Sequence, residues 1–157
     1  MPPPPIFDLD ILDFDHPLAD HTEVLRSNPQ RHEFELLDAV LFCDEQNGTF
    51  AGYHDVREDA WWVKAHIPAR PLFPGVLAIE AAAQLSSYVM HRAFQHSGFV
   101  GLVGVDEVKF RGAIEPPCRY VVIGRTVEVR SRRIRCYTQG YVNGTMVFEA
   151  EIMGMTM

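Results

Sequence analysis

The chain of 157 residues has a one-domain length, enough to bury about two thirds of the surface its unfolded form exposes. Its 47% hydrophobic and 22% charged residues are globular values that exclude disorder and collagen-like structure for the bulk of it, and no apolar run suffices for a membrane span. A net charge of −7, from 14 Lys and Arg against 21 Asp and Glu, repels phosphate backbones and argues against a nucleic-acid partner.

Residues 1–30 read as a proline- and acid-rich N-terminal arm, and residues 31–157 as the folded domain. Pro2 to Pro5 favour an extended segment without internal hydrogen bonds, and no basic or apolar signal region accompanies them. The run from Asp8 to Asp20, with five aspartates, forms a short helix or lies as an arm on the domain. Phe34, Leu36, Leu37, Val40, Leu41 and Phe42 precede an Asn47-Gly48 turn signal. Phe50–Val56 and Ala60–Ala65 then read as short strands. From Pro74, suited to the first helical position, a helix is expected to run to about Gln95 and to stop at Ser97-Gly98. Only Glu80 and Gln84 are polar between Val76 and Leu85, so protein should enclose that part on most sides. The second half, with His91, Arg92 and His96, should emerge toward solvent.

Four strands are expected after Gly98: Val100–Phe110, Arg119–Arg130, Ile134–Val142 and Thr145–Met153, the last two joined by an Asn143-Gly144 hairpin turn. Val121, Ile123, Val127 and Val129 share one face of the second. Consecutive strands suggest an antiparallel meander. One long buried helix with five or six strands defines an α+β class in which a strongly curved antiparallel sheet wraps the helix. Open sheet edges in such a fold invite dimerisation.

The chemistry concentrates in His66-Ile-Pro-Ala-Arg-Pro-Leu-Phe-Pro-Gly-Val-Leu-Ala-Ile-Glu80-Ala-Ala-Ala-Gln84. A carboxyl group at Glu80, among aliphatic neighbours, is suited to proton transfer. Gln84, four residues on, shares its helix face and can hold it by a hydrogen bond. The N–H groups of Gly75 and Val76 at the helix start lack intrahelical acceptors and offer a place for a developing oxyanion or a bound carbonyl. Glycine there lets a substrate approach the backbone closely. His66, in a proline-stiffened loop, belongs to the residue type that titrates near neutrality and can serve as base.

This segment resembles the signature His-Phe-Pro-Gly-x-Pro-x-x-Pro-Gly-Val-Leu-x-x-Glu-x-x-Ala-Gln of the 3-hydroxyacyl-acyl-carrier-protein dehydratases, the FabZ/FabA-like family of hot-dog fold. Phe34, Leu36, Leu37 and Asp38 are similar to the family's opening strand, and Gly104 to Arg111 to its Gly-Ile-Asp-x-Val-Arg-Phe-Arg strand. The resemblance covers roughly residues 30 to 155. It implies that His66 removes the C2 proton, that Glu80 helps the C3 hydroxyl leave as water, and that Gly75 polarises the thioester carbonyl, with histidine and acid supplied by different protomers. Glutamate rather than aspartate favours plain dehydration to the trans-2-enoyl product of a (3R)-3-hydroxyacyl thioester in fatty acid biosynthesis. Ile79, Ala83 and Phe110 are candidate linings of an acyl tunnel. The sequence departs from the pattern at Ile67, at Ala69 where the family has glycine, and at Pro116-Pro117-Cys118 where it has Pro-Gly-Asp. A glycine required at positive φ would make Ala69 cost about 1 kcal/mol and reshape the loop.

The implied partners are an acyl carrier protein and further copies of this chain, as a dimer or trimer of dimers. Arg70, Lys109, Arg111, Arg132 and Arg133 are candidate docking residues for the acidic carrier, with Arg130 and Arg135 in the same hairpin. No metal or redox cofactor is implied, and the remaining histidines lack metal-ligand spacing. Cys43, Cys118 and Cys136, odd in number and without a CxxC pair, fit a reducing cytoplasm. Two other readings are a hot-dog protein acting on another acyl thioester, as in polyketide or specialised lipid pathways, and a catalytically inactive acyl-binding or partner subunit.

Overall fold

The computed structural model describes residues 1–95 and 98–157. Six strands form one antiparallel sheet: β1 (Ala39–Asp44), β2 (Thr49–Val56), β3 (Val100–Phe110), β4 (Cys118–Val129), β5 (Arg133–Val142) and β6 (Thr145–Thr156). A helix, α1 (His21–Ser27), precedes β1, and the long α2 (Gly75–Phe94) lies between β2 and β3. α2 packs against β2, β3, β4, β5 and β6, which obliges the sheet to curve around it. Its Leu77, Ala78, Ala81, Ala82, Leu85, Val89 and Met90 share one core with Phe50, Tyr120, Val122, Ile134, Phe148 and Ile152.

The sheet order is β1-β2-β4-β5-β6-β3, so β4, β5 and β6 run as the expected antiparallel meander and only β3 departs from it. β4 is paired with β2 from Cys118 to Arg125 and with β5 from Val121 to Val129. Both its edges are taken, and β3 goes to the far side of β6, with Val100 opposite Thr156 and Phe110 opposite Phe148. Asn143 and Gly144, both at positive φ, make the predicted hairpin turn.

Three further expectations change. Ala60–Ala65 is not a strand; Trp61–Lys64 is a 3-10 turn that buries Trp62 and leaves Trp61 half exposed. Its N–H groups bond locally, Val63 to the Ala60 carbonyl and Ala65 to that of Trp62, so no ladder is needed. Pro74 is the N-cap of α2 rather than its first residue, and Gln95 ends the helix in a left-handed conformation; Ser97 of the expected stop lies outside the described residues, as does His96. His91 is buried rather than solvent-facing, while Arg92 is exposed as expected.

The sheet's outer face is also apolar in part. Leu41, Ala51, Ile123, Tyr141 and Met146 form a second cluster there, covered by Ile6, Phe7, Leu9 and Leu12 of the N-terminal segment. Val121 and Ile123 therefore belong to this outer side, while Val127 and Val129 stay exposed. The buried amide of Gln139 clasps the segment: its Nε2 donates to the Pro4 carbonyl at 3.0 Å, and its Oε1 accepts from Ile6 N–H at 3.0 Å and from the Tyr141 hydroxyl at 3.0 Å. Further on, Ala19 and Val40 exchange backbone hydrogen bonds of 3.0 and 2.9 Å, closing part of the β1 edge. The other edge, β3, pairs only with β6 among the described residues. Gln139→Leu strands the Ile6 and Pro4 backbone groups and the Tyr141 hydroxyl; the expected cost is about 2 kcal/mol, a fall in Tm of roughly 4–8 °C. Thermal unfolding with limited proteolysis of the first residues checks this.

Candidate active site

The loop before α2 is fixed at both ends by aromatic packing. Trp62 is buried and meets Phe73 edge-on, with ring centroids 5.5 Å apart and planes at 68°. Phe73 N–H donates to the Ile114 carbonyl at 2.8 Å, and His66 N–H to that of Trp62 at 2.8 Å. Between these anchors, His66 Nδ1 lies 3.0 Å from the Leu72 carbonyl. A carbonyl only accepts, so Nδ1 carries the proton of the neutral ring and Nε2 keeps its lone pair. The ring is thus held in the tautomer that can act as base, on an exposed loop.

The departures in this loop are accommodated. Ile67 to Arg70 form a turn closed by Arg70 N–H on the Ile67 carbonyl at 3.0 Å, with Pro68 and Ala69 at its centre. Among the described residues, the non-glycine positions at positive φ are His32, Gln95, Glu107 and Asn143, so Ala69 takes an ordinary conformation and the anticipated strain is absent. Pro116-Pro117 is a cis bond leading into β4.

On α2, Glu80 is half-buried, not enclosed, and its Oε1 accepts from Gln84 Nε2 at 2.8 Å. The Gln84 orientation is dictated from outside the helix. Its Oε1 accepts from Leu36 N–H at 3.0 Å, and Nε2 also donates to the Phe34 carbonyl at 2.7 Å. Both amide hydrogens are committed to protein acceptors, so Gln84 positions Glu80 rather than contacting a ligand. Its donor side faces Glu80, so Oε1 is an acceptor and a carboxyl proton belongs on Oε2. Sequence reasoning missed this support. Phe34 and Leu36 act through backbone atoms, and Asn28, buried, donates from Nδ2 to the Gln84 carbonyl at 2.8 Å. An irregular segment that works through its main chain leaves no residue-type signal.

At the helix start, Pro74 supplies no side-chain cap, so Gly75 and Val76 keep free N–H groups. Val76 is 70% exposed. Phe110 covers Gly75 so closely that a Cβ there would sit 2.7 Å from its Cε1, and its ring also packs on Phe148 at 5.8 Å. Gly75→Ala displaces the mobile end of an exposed ring, so stability should change little while kcat/KM falls about tenfold to a hundredfold through misplacement at the helix start. Parallel thermal melts and kinetics separate the two.

Glu80, Ala83 and Gln84 line one recess of about 50 Å3 between α2, β3 and β6. Ile79 packs instead against the central core. His66 is not among the residues lining the recess. The docking candidates do not form one patch. Arg133 aligns with Met155, whereas Lys109 aligns with Glu149, six residues away along β6 or about 20 Å. They are also engaged: Arg70 with Glu115 at 3.0 Å, Arg133 with Glu128 at 3.1 Å, Arg132 with the Thr156 carbonyl at 2.8 Å, and Lys109 and Arg111 with Glu149. Burial opposes ionisation of Glu149, yet the Tyr137 hydroxyl and Arg111 hold its carboxyl below the usual range.

Comparison with solved structures defines the class. The dehydratase heterocomplex ApeI:P from Xenorhabdus doucetiae superposes with a TM-score of 0.70 at 17% identity, over 85% of this chain and 90% of that one, and the fold is the hot-dog fold. The FabA-like domain family matches residues 28–151. The 3-hydroxyacyl-(acyl-carrier-protein) dehydratase FabZ of Protochlamydia amoebophila is 30% identical over 139 residues, 88% of this chain and 90% of the relative. The FabZ of Xylella fastidiosa strain M12 is 31% identical over 130 residues, 80% and 81% respectively. The chain belongs to the FabA-like family of dehydratases. No helix among the described residues is long and apolar enough to cross a membrane.

Proposed function

We propose that this protein removes water from (3R)-3-hydroxyacyl groups carried as thioesters on an acyl carrier protein, giving the trans-2-enoyl thioester for fatty acid biosynthesis. His66 Nε2 takes the C2 proton. The Gly75 N–H, aided by the positive end of α2, stabilises the negative charge that develops on the thioester oxygen. Glu80 passes the proton on Oε2 to the C3 hydroxyl, which departs as water while the C2–C3 double bond forms. The proton gained by His66 returns to Glu80 through solvent before the next turnover.

The observation that carries this reading is the pair of hydrogen bonds that fix the two groups: the Leu72 carbonyl takes Nδ1–H of the neutral His66 ring and leaves Nε2 its lone pair, and Gln84 Nε2 takes Glu80 Oε1 and leaves a carboxyl proton to Oε2. His66 stands outside the recess beside Glu80, and β3 offers an open edge with Leu102 and Val103 exposed. Pairing of β3 between two copies completes a continuous sheet and supplies the His66 of one protomer to the Glu80 of the other. Arg70, four residues from His66, is the docking candidate nearest in sequence to the loop. The first part of the arm serves as a cover for the sheet, while Val24 packs into the central core and Asn28 holds the Gln84 carbonyl.

The test is the ultraviolet absorbance of 2-enoyl thioesters on pantetheine and on carrier protein, mixed with the purified protein. Loss of the enoyl band through hydration, the reverse reaction, is the expected result. An unchanged band with every chain length and carrier contradicts the reading and favours a binding or partner subunit.

A further inference from the structure

Glu80 takes its orientation from Gln84, and Gln84 from two main-chain groups that flank a single residue, Glu35. The Phe34 carbonyl accepts from Gln84 Nε2 at 2.7 Å, and the Leu36 N–H donates to Gln84 Oε1 at 3.0 Å. The same Leu36 N–H lies 3.0 Å from the Phe34 carbonyl, and Glu35 between them has φ −78° and ψ 83°. This is an inverse γ-turn, which brings the C=O before its central residue and the N–H after it face to face. It thereby presents both groups to one side-chain amide. A turn with one hydrogen bond of its own needs anchors on either side. Leu36 is buried in the core, but the Phe34 ring is half exposed.

The Glu35 carboxylate supplies the missing anchor. Its Oε1 accepts from the His32 N–H at 2.8 Å, and its Oε2 lies 3.0 Å from His21 Nε2. A carboxylate only accepts, so Nε2 carries the ring proton there. The Glu35 N–H in turn donates to the His32 carbonyl at 3.1 Å. His32 is left-handed, at φ 60°, which a residue with a Cβ adopts when its surroundings hold it. His21 is the first residue of α1, and Asn28, which caps the other end of α1, donates to the Gln84 carbonyl. Glu35 thus ties the turn to the same short helix that reaches Gln84 at its far end.

We propose that Glu35 is a positioning residue for the dehydration: its carboxylate holds the turn whose two main-chain groups orient Gln84 and, through it, the proton-bearing oxygen of Glu80. This rests on the dehydratase reading of the same site. Without the carboxylate, residue 35 relaxes toward extended backbone, the Phe34 carbonyl and the Leu36 N–H diverge, and Gln84 cannot keep both bonds. Glu80 then spreads over several rotamers, which lowers the fraction of bound substrate that meets the proton and leaves thioester binding as it was.

The test is the hydration of a 2-enoyl pantetheine thioester by the full-length protein, with kcat and KM measured separately. In Glu35→Ala, kcat is expected to fall about tenfold while KM stays within about twofold of wild type. Glu35→Gln keeps an oxygen for the His32 N–H and gains an amide that can donate to His21, so it restores most of kcat. The decisive arm adds Glu35→Ala to Glu80→Gln. There it costs little further turnover, because no proton remains to be placed, whereas the fall in Tm is the same in both backgrounds. An equal fold-loss of kcat in both backgrounds marks a merely structural role and overturns the proposal. So does a loss confined to KM, a wild-type kcat in Glu35→Ala, or a Glu35→Gln variant as slow as Glu35→Ala. A wild type that hydrates no enoyl thioester overturns the dehydratase reading itself, and this inference with it.

Discussion

His66→Ala is expected to lower kcat/KM for enoyl-thioester hydration by about 10²–10⁴-fold, the contribution of a positioned general base. The loss should be chemical rather than structural. The imidazole is exposed and makes one hydrogen bond, to the Leu72 carbonyl. The loop's anchors are elsewhere: the His66 N–H to Trp62, the Trp62–Phe73 contact and the Phe73 N–H to Ile114 all persist without the ring. The melting temperature should therefore stay within a few degrees of wild type. A fall in Tm that tracks the fall in activity would instead assign His66 a structural role.

Glu80→Gln carries the second large effect. The carboxamide keeps the volume and can turn its oxygen toward Gln84 Nε2, so the network through Phe34, Leu36 and Gln84 stays closed. It cannot transfer a proton to the C3 hydroxyl, and turnover should drop by about 10²–10⁴-fold. Because binding of the thioester does not depend on that proton, KM should move far less than kcat. A large rise in KM with kcat retained would make Glu80 a binding group rather than the acid.

The chain's legibility differed by residue. The stretch from His66 to Gln84 could be placed because its prolines, glycine and apolar run each have a local physical meaning. The limits of β3 fell at the expected Val100 and Phe110, and the Asn143-Gly144 turn followed from turn chemistry. Trp61-Trp62 misled because one inward and one outward aromatic ring is also how a strand looks over two residues. The place of β3 beside β6 was hidden because strand order is a property of pairing between distant segments. The support for Glu80 was hidden for another reason: the Phe34 carbonyl and Leu36 N–H are main-chain groups that any residue offers. The apolar residues of the arm, Ile6, Phe7, Leu9 and Leu12, were spaced among prolines and acids, and their role as a cover emerges only with the outer cluster on which they pack.

The shared-site arrangement predicts a result that neither variant gives alone. His66→Ala and Glu80→Gln chains, co-expressed with different tags, can be purified as the mixed dimer. In that dimer one site loses both groups and the other keeps both. The enoyl-thioester band should then disappear at about half the wild-type rate per dimer, although each parental dimer is inactive. A mixed dimer as inactive as its parents, from a protein whose wild type hydrates the substrate, would contradict the account of a site built from His66 of one protomer and Glu80 of its partner.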